Sequence, residues 1–258
     1  MRKQTLLEKL KLLTGKTDKE LNPTLSHIHI QLCGGSGTGG KFGAAKVPYD
    51  YSDNFLFNSP ARVTQEQIYK QLEVYVGSFK RDFIKDGNVN QDERPIKNLY
   101  LWSENKGNGK TSTAAALLNE YMFMSWQASV IRKTNMKQPP AYFLDVNSFQ
   151  TLYNKFTRNG IAKDIAEKTS REYYEMMELA ESAPLVVFDE IGNRSATEAF
   201  RADLHDIINK RMVNKLPSIF TSNHPIDYLE QVFDERLADR VRERTIVYHF
   251  EGDSHRGI

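Results

Sequence analysis

Apolar positions change their period along this chain, and the changes mark its elements. Leu6, Leu7, Leu10 and Leu13 fall at i, i+1, i+4 and i+7, which predicts an amphipathic helix over 3–14 of about three turns. Its apolar stripe suits either packing on the chain's own core or docking of a partner helix. Ile68, Leu72, Tyr75, Val76 and Phe79 share one face of a second predicted helix over 64–85, ended by Asp86-Gly-Asn-Val-Asn90. Between the two, residues 22–60 read as irregular, with His27-Ile-His-Ile30 alternating like a short strand.

From Pro95 onward strand and helix patterns alternate. Short apolar runs predict strands at 98–102, 141–146, 184–189, 217–222 and 245–250, and helical periods fall near 110–125, 148–157, 164–182 and 197–214. Such alternation predicts an α/β layer fold with a mainly parallel sheet. The chain divides into an N-terminal extension, 1–94, and a core domain, 95–258. Ser195-Ala-Thr-Glu198 reads as a capping box opening the last of these helices, with Phe200, Leu204, Ile207, Ile208 and Met212 inward and Arg201, Asp203, His205 and Asp206 on a solvated face.

Composition adds bounds. The chain has 258 residues, 40% hydrophobic and 26% charged, which is ordinary for a soluble globular protein and long enough for a full core. A net charge of +2 means that any nucleic-acid surface is a local patch. A single cysteine, Cys33, excludes an internal disulfide and a multi-cysteine zinc site, and fits the cytoplasm. No apolar run reaches membrane-spanning length, and charges interrupt the leucines of 1–16, so no membrane association and no signal peptide are expected.

Candidate chemistry starts at Leu99-Tyr-Leu-Trp-Ser-Glu-Asn-Lys-Gly-Asn-Gly-Lys-Thr-Ser112. A strand runs into a glycine-bearing loop and then a helix, the order that a nucleoside-triphosphate site requires. Backbone N–H groups of Gly107, Asn108, Gly109 and Ser112 cradle phosphates, Lys110 reaches the outer phosphates and the Thr111 hydroxyl holds Mg²⁺. Glu104 stands where the G-x-x-x-x-G-K-[ST] pattern has its first glycine. A rival loop, Cys33–Gly43, satisfies G-x-x-x-x-G-K from Gly35 to Lys41, but Phe42 replaces the hydroxyl and Pro48 follows where a helix has to propagate. His27, His29 and Cys33 lie near it without a fourth metal ligand, so this loop reads as a flexible connection.

The apolar run Pro184–Phe188 ends in Asp189 and Glu190. Asp189 suits the Mg²⁺ shell, and Glu190 suits activation of an attacking water. The strand Ser218–Asn223 ends in Ser222 and Asn223, placed to sense a γ-phosphate or hold the attacking water, Asn223 suiting equally a turn before His224-Pro225. Arg236, Arg240 and Arg244 lie at i, i+4 and i+8 on one helix face, either as a salt-bridged surface or as an arginine finger acting on a neighbour's nucleotide, Arg240 first and Arg236 second. In 147–183, Tyr153, Lys155, Phe156 and Arg158 interleave aromatics with cations, as single-strand binding surfaces do and as inward-packing amphipathic helices also do.

Asn108-Gly-Lys-Thr111, Val187-Phe-Asp-Glu190, Phe220-Thr-Ser-Asn223, Arg236-Leu-Ala-Asp-Arg240 and Phe250–Gly257 together resemble the AAA+ ATPases of the DnaC/DnaI helicase-loader group, especially their phage-encoded members. The resemblance spans about 95–258. It implies a P-loop α/β core without a full helical lid, with Arg256 near a phosphate. It also implies an ATPase that uses ATP and Mg²⁺, assembles into a homo-oligomer around ATP, grips a hexameric replicative helicase through its N-terminal part and places it on single-stranded DNA. A transposition-helper ATPase of the IstB type and a non-catalytic, ATP-ordered adaptor are the alternatives. Glu104→Gly is expected to keep or tighten ATP binding, measured by nucleotide titration against the parent; a clear loss would assign Glu104 a role of its own.

Overall fold

The computed structural model describes residues 1–84, 95–192 and 195–252. The segment Asp86–Asn90 and Arg256 lie outside them. The described chain forms α1 (Lys3–Thr14), α2 (Asp18–Cys33), α3 (Gly40–Gly43), α4 (Glu66–Ile84), β1 (Asn98–Trp102), α5 (Lys110–Arg132), β2 (Tyr142–Asp145), α6 (Val146–Phe156), α7 (Lys163–Ser182), β3 (Val186–Asp189), α8 (Glu198–Val213), β4 (Ser218–Ser222), α9 (Leu229–Val232), α10 (Glu235–Glu243) and β5 (Thr245–His249). The strands pair in one all-parallel sheet of order β2-β3-β4-β1-β5.

Alternate side chains of the strands face opposite layers. Leu99, Leu101, Phe143, Val187 and Ile219 join a core with α1, α2, α4 and α5. Tyr100, Tyr142, Leu144, Val186, Phe188 and Phe220 join a second core with α6, α7, α8 and α10. Burial on both faces explains why β1, β2, β3 and β4 read as continuous apolar runs; β5, at the edge, is partly exposed. Register sets the ends level: Asp145 pairs with Asp189, and Trp102 pairs with Ser222 on one side and His249 on the other.

The stretch read as irregular is largely helical. Thr17 and Glu20 form a capping box, the Glu20 carboxylate accepting the Thr17 N–H at 2.8 Å. Leu21, Leu25, His29 and Leu32 then bury at helical spacing. The four-residue alternation of His27–Ile30 is too short to outweigh that longer period, so it is helix, not strand. Helix α1 packs on the chain's own core: Lys9 pairs with the buried Glu120 of α5 and lies 5.0 Å from the Phe55 ring.

Helix α8 is capped two residues later than the expected capping box. Thr197 is its N-cap, its hydroxyl accepting the Phe200 N–H at 3.3 Å, while the Ser195 carbonyl is held by Gln150 at 2.7 Å. The polar side of α8 is less solvated than expected. Asp203 accepts the Tyr173 hydroxyl at 2.7 Å, His205 contacts Asp234 at 2.8 Å, and Arg201 is half-buried.

Arg211 ties the ends of the second layer together. It is fully buried and donates to the carbonyls of Ala180, Ala183 and Pro217 at 2.9, 2.8 and 2.6 Å and to Ser218 Oγ at 2.9 Å. Burial pulls its guanidinium down to about 9, so it keeps its charge at neutral pH. Arg211→Met would strand several buried acceptors, each costing about 1–3 kcal/mol. Denaturant melts are expected to register a loss of roughly 3 kcal/mol or more; a change within the scatter of a surface variant would refute this clamp.

Candidate functional site

Helix α5 begins at the mouth of the sheet. The loop before it turns at Gly107 and Gly109, with φ of 81° and 97°. A Cβ on Gly109 would also overlap the Ala61 methyl, so side chains are excluded there for two reasons. The Lys110 ammonium donates to the carbonyls of Ser103 and Asn105 at 3.3 and 2.8 Å and to Asn108 Oδ1 at 3.3 Å. Asn108 is buried and donates to Ser103 Oγ and, at 3.0 Å, to the Phe250 carbonyl. The loop thus packs around the lysine and leaves the first N–H groups of α5 facing the cavity.

Parallel register brings the other chemistry to this mouth. Asp189 Oδ1 accepts the Thr111 hydroxyl at 3.0 Å and the Thr221 hydroxyl at 2.6 Å. Thr221 Oγ1 in turn accepts the Glu190 N–H at 2.9 Å, and the Thr221 carbonyl accepts the Ile191 N–H at 2.9 Å. This clamp holds Glu190 at φ 61°, a region that residues with a side chain seldom adopt. Asn147, just after β2, donates its amide to Glu190 Oε2. Asp145 steadies that turn by accepting the Asn147 N–H at 2.9 Å as the cap of α6.

A cavity of about 200 Å³ is lined by Gly107–Ser112, Glu190 and Thr221–Asn223, and on its far wall by Tyr51, Pro60 and Ala61. Lys110, Thr111, Asp189, Glu190 and Asn223 therefore meet at one place. Three contributors escaped the sequence reading. Thr221, rather than Ser222, faces the carboxylates; Ser222 Oγ turns to the Ile191 carbonyl at 2.9 Å. Asn147 carried only the weak signal of a polar residue at a strand end. The 51–61 wall carried none, because its approach is purely tertiary.

Other expected residues lie elsewhere. Arg240 is half-buried and donates to Asn209 Oδ1 at 2.6 Å, and Arg236 is exposed; neither lines the cavity of its own chain. The carboxylate-paired arginine of α10 is Arg242, which meets Asp227, Glu230 and Asp239. Tyr153 and Phe156 turn their rings into a cluster with Phe149, Tyr173 and Phe200, while Lys155 and Arg158 are exposed. The 34–43 loop folds on itself, Phe42 buried, away from this cavity. His29 contacts the Met1 carbonyl and His27 contacts Gln31, and no metal-ligand cluster occurs among the described residues. Glu104 points out of the loop to His249, 3.0 Å away.

The donor set fits a magnesium nucleotide: a hydroxyl and a carboxylate share one point, beside a lysine and a helix start. Burial pushes Asp189 up to about 6, the Thr221 and Thr111 hydroxyls counteract this, and the charges of Glu190 and Asp145 add to it. A carboxyl raised in the folded state stabilises below its unfolded value, near 3.8, and loses that contribution as pH rises through about 6. Relative to Asp189→Asn, the parent is expected to lose roughly 2–3 kcal/mol between pH 3.8 and 6. Parallel melts across that range check it; parallel curves would refute it.

No protein-family model and no curated protein matches this chain. Many solved structures resemble it, two of them as follows. The DnaC helicase loader superposes with a TM-score of 0.52 at 17% identity, covering 79% of this chain and all of that one. DnaI superposes with a TM-score of 0.50 at 18% identity, covering 79% of this chain and 94% of that one. Over about four-fifths of its length, then, this chain has the P-loop α/β fold of the DnaC and DnaI structures, the fold that its motifs led one to expect.

Proposed function

We propose that this chain is an ATP-hydrolysing AAA+ protein of DNA replication that loads a hexameric replicative helicase onto single-stranded DNA. The observation that carries the ATPase reading is the convergence of the Thr111 and Thr221 hydroxyls on one oxygen of Asp189 beside Glu190. The likeness to a helicase loader whose whole chain is matched by 79% of this one supports the biological role.

In this reading the phosphates lie against the N–H groups of Gly107–Ser112. Lys110 exchanges its loop acceptors for phosphate oxygens. Thr111 and Asp189 would hold magnesium, which when bound neutralises phosphate charge. Tyr51, Pro60 and Ala61 wall the nucleotide on the side away from the sheet. Glu190 orients a water and takes its proton as the oxygen attacks the γ-phosphorus and the bond to the leaving ADP oxygen breaks. Asn147 keeps the Glu190 carboxylate aimed, and Asn223 contacts the γ-phosphate. Arg240, with Arg236 beside it, enters the site of the next subunit, so ATP favours a homo-oligomer. Residues 1–94 grip the helicase, 95–258 hydrolyse ATP, Tyr153, Lys155, Phe156 and Arg158 contribute to DNA contact, and the protein works in the cytoplasm.

Lys110→Ala is expected to abolish nucleotide binding. Glu190→Gln is expected to bind ATP normally while turnover falls about 100-fold or more. Arg240→Ala lowers turnover only in the assembled state. Nucleotide titration and phosphate release, with and without single-stranded DNA, test these. Capture of a purified replicative helicase that depends on ATP and fails in Lys110→Ala tests the loader assignment. Turnover of Glu190→Gln equal to the parent would refute the base assignment.

A further inference from the structure

A second cavity lies on the other side of Glu190. It encloses about 400 Å³ between the first turns of α6 and α8 and the 3₁₀ turn Ile226–Tyr228, within the range of small-molecule sites. Glu190 and Asn147 line it, so it shares a wall with the nucleotide cavity.

Its chemistry differs from that of a phosphate site. His224 and Tyr228 stack with ring centroids 4.0 Å apart and planes at 23°, and the His224 carbonyl is held by the Tyr100 hydroxyl at 3.0 Å. A fixed pair of rings presents a flat apolar surface. Gln150, only 6% exposed, and Asn147 add amides that each spend one N–H on the protein, Gln150 on the Ser195 carbonyl and Asn147 on Glu190, and keep an oxygen that can accept. Among the described residues of the lining the cation is Arg201; its guanidinium reaches the Gln231 carbonyl at 3.4 Å, a long contact that leaves most of its donors uncommitted to that partner. Phe200 provides an apolar floor. The carboxylate of Glu190 disfavours a phosphate in the interior, whereas a neutral, flat, hydrogen-bonding ring meets each of these groups favourably.

We infer that this cavity binds a nucleobase, carried by single-stranded DNA or by a free nucleotide, with the ring against His224 and Tyr228, its edge at the amides of Gln150 and Asn147, and its phosphate toward Arg201. Stacking on aromatic faces and amide contacts to an unpaired base edge are how proteins take bases out of single strands. The choice of DNA as a source rests on the proposed function; the site itself does not require ATP hydrolysis.

Fluorescence anisotropy of labelled oligo-dT and oligo-dA with the full chain tests the site. Tyr228→Leu and Arg201→Ala are each expected to weaken binding about tenfold, while Tyr228→Phe, which keeps the ring, retains it. Lys110→Ala is expected to bind the oligomers like the parent, which separates failure of this site from failure of the ATPase reading. Competition by free dTMP or dAMP at comparable concentration assigns the pocket to nucleotides; competition by oligomers alone assigns it to strands. The inference is overturned if the parent binds neither oligomer nor mononucleotide. It is also overturned if Tyr228→Leu and Arg201→Ala, folded by circular dichroism, bind like the parent, or if only Lys155→Glu and Arg158→Glu weaken binding.

Discussion

A carboxylate buried at the end of a parallel strand is the constraint on which this site is built. Asp189 is 7% exposed, and burial alone would favour its neutral form. Two hydroxyls hold it, one from the first turn of α5 and one from β4. Neither comes from its own strand. The sheet order puts β4 between β3 and β1, so the loop after β1 and the end of β3 can share a residue of the strand between them. Thr221 fills that place with both of its polar groups: the hydroxyl bridges Asp189 and the Glu190 N–H, and the carbonyl takes the Ile191 N–H. Remove the parallel register and the carboxylates, the lysine and the polar strand end would no longer meet.

The same register explains which parts were legible in the amino-acid order. Continuous apolar runs marked all of the described strands within a residue or two, because both faces of β1, β2, β3 and β4 are buried, whereas β5 at the sheet edge buries only Tyr248 and is marked by its β-branched residues. The glycine–lysine–threonine loop and the Asp189-Glu190 pair were legible because their chemistry needs those residue types at those places. Thr221 was not, since Thr, Ser and Asn follow one another at 221–223 and only the pleat decides which side chain turns to the carboxylates. Asn147 was not, since its partner is 43 residues away. Helix α2 was misread for a different reason: four alternating residues imitate a strand, whereas its cap and its period need sixteen residues to be seen.

The N-terminal third is legible as elements but not as placement. Its apolar stripes could equally have met another protein. Leu6, Leu7 and Leu10 bury α1 in the core, and an ion pair fixes where it sits. Glu120 is almost fully buried in α5, accepts the Leu56 N–H at 3.3 Å and pairs with Lys9. Leaving a buried carboxylate without that lysine would be costly, so α1 is held where the pair forms. Its consequence reaches the site, because Leu56 leads to the Pro60–Arg62 turn and Ala61 closes against Gly109. The wall of the cavity at the start of α5 thus belongs to the extension as much as to the sheet.

Glu104 shows how a loop keeps its shape without the consensus glycine. Glycine is required where φ is positive or where a Cβ would collide, and Glu104 is not among the positive-φ residues of the described chain. Side chains define the loop instead. Ser103 Oγ accepts both the Asn105 N–H, at 3.2 Å, and the Asn108 amide, while Asn105 and Asn108 donate to the carbonyls of Gly252 and Phe250. His249 lies flat on Trp102 at 4.0 Å and meets the Glu104 carboxylate, so the charge that replaces the glycine is drawn outward to β5. The loop is therefore bound to the segment after β5 on both of its sides. Hydrogen bonds thus couple the 103–109 loop to residues 249–252, and through it to Lys110, whose ammonium rests on the carbonyls of Ser103 and Asn105.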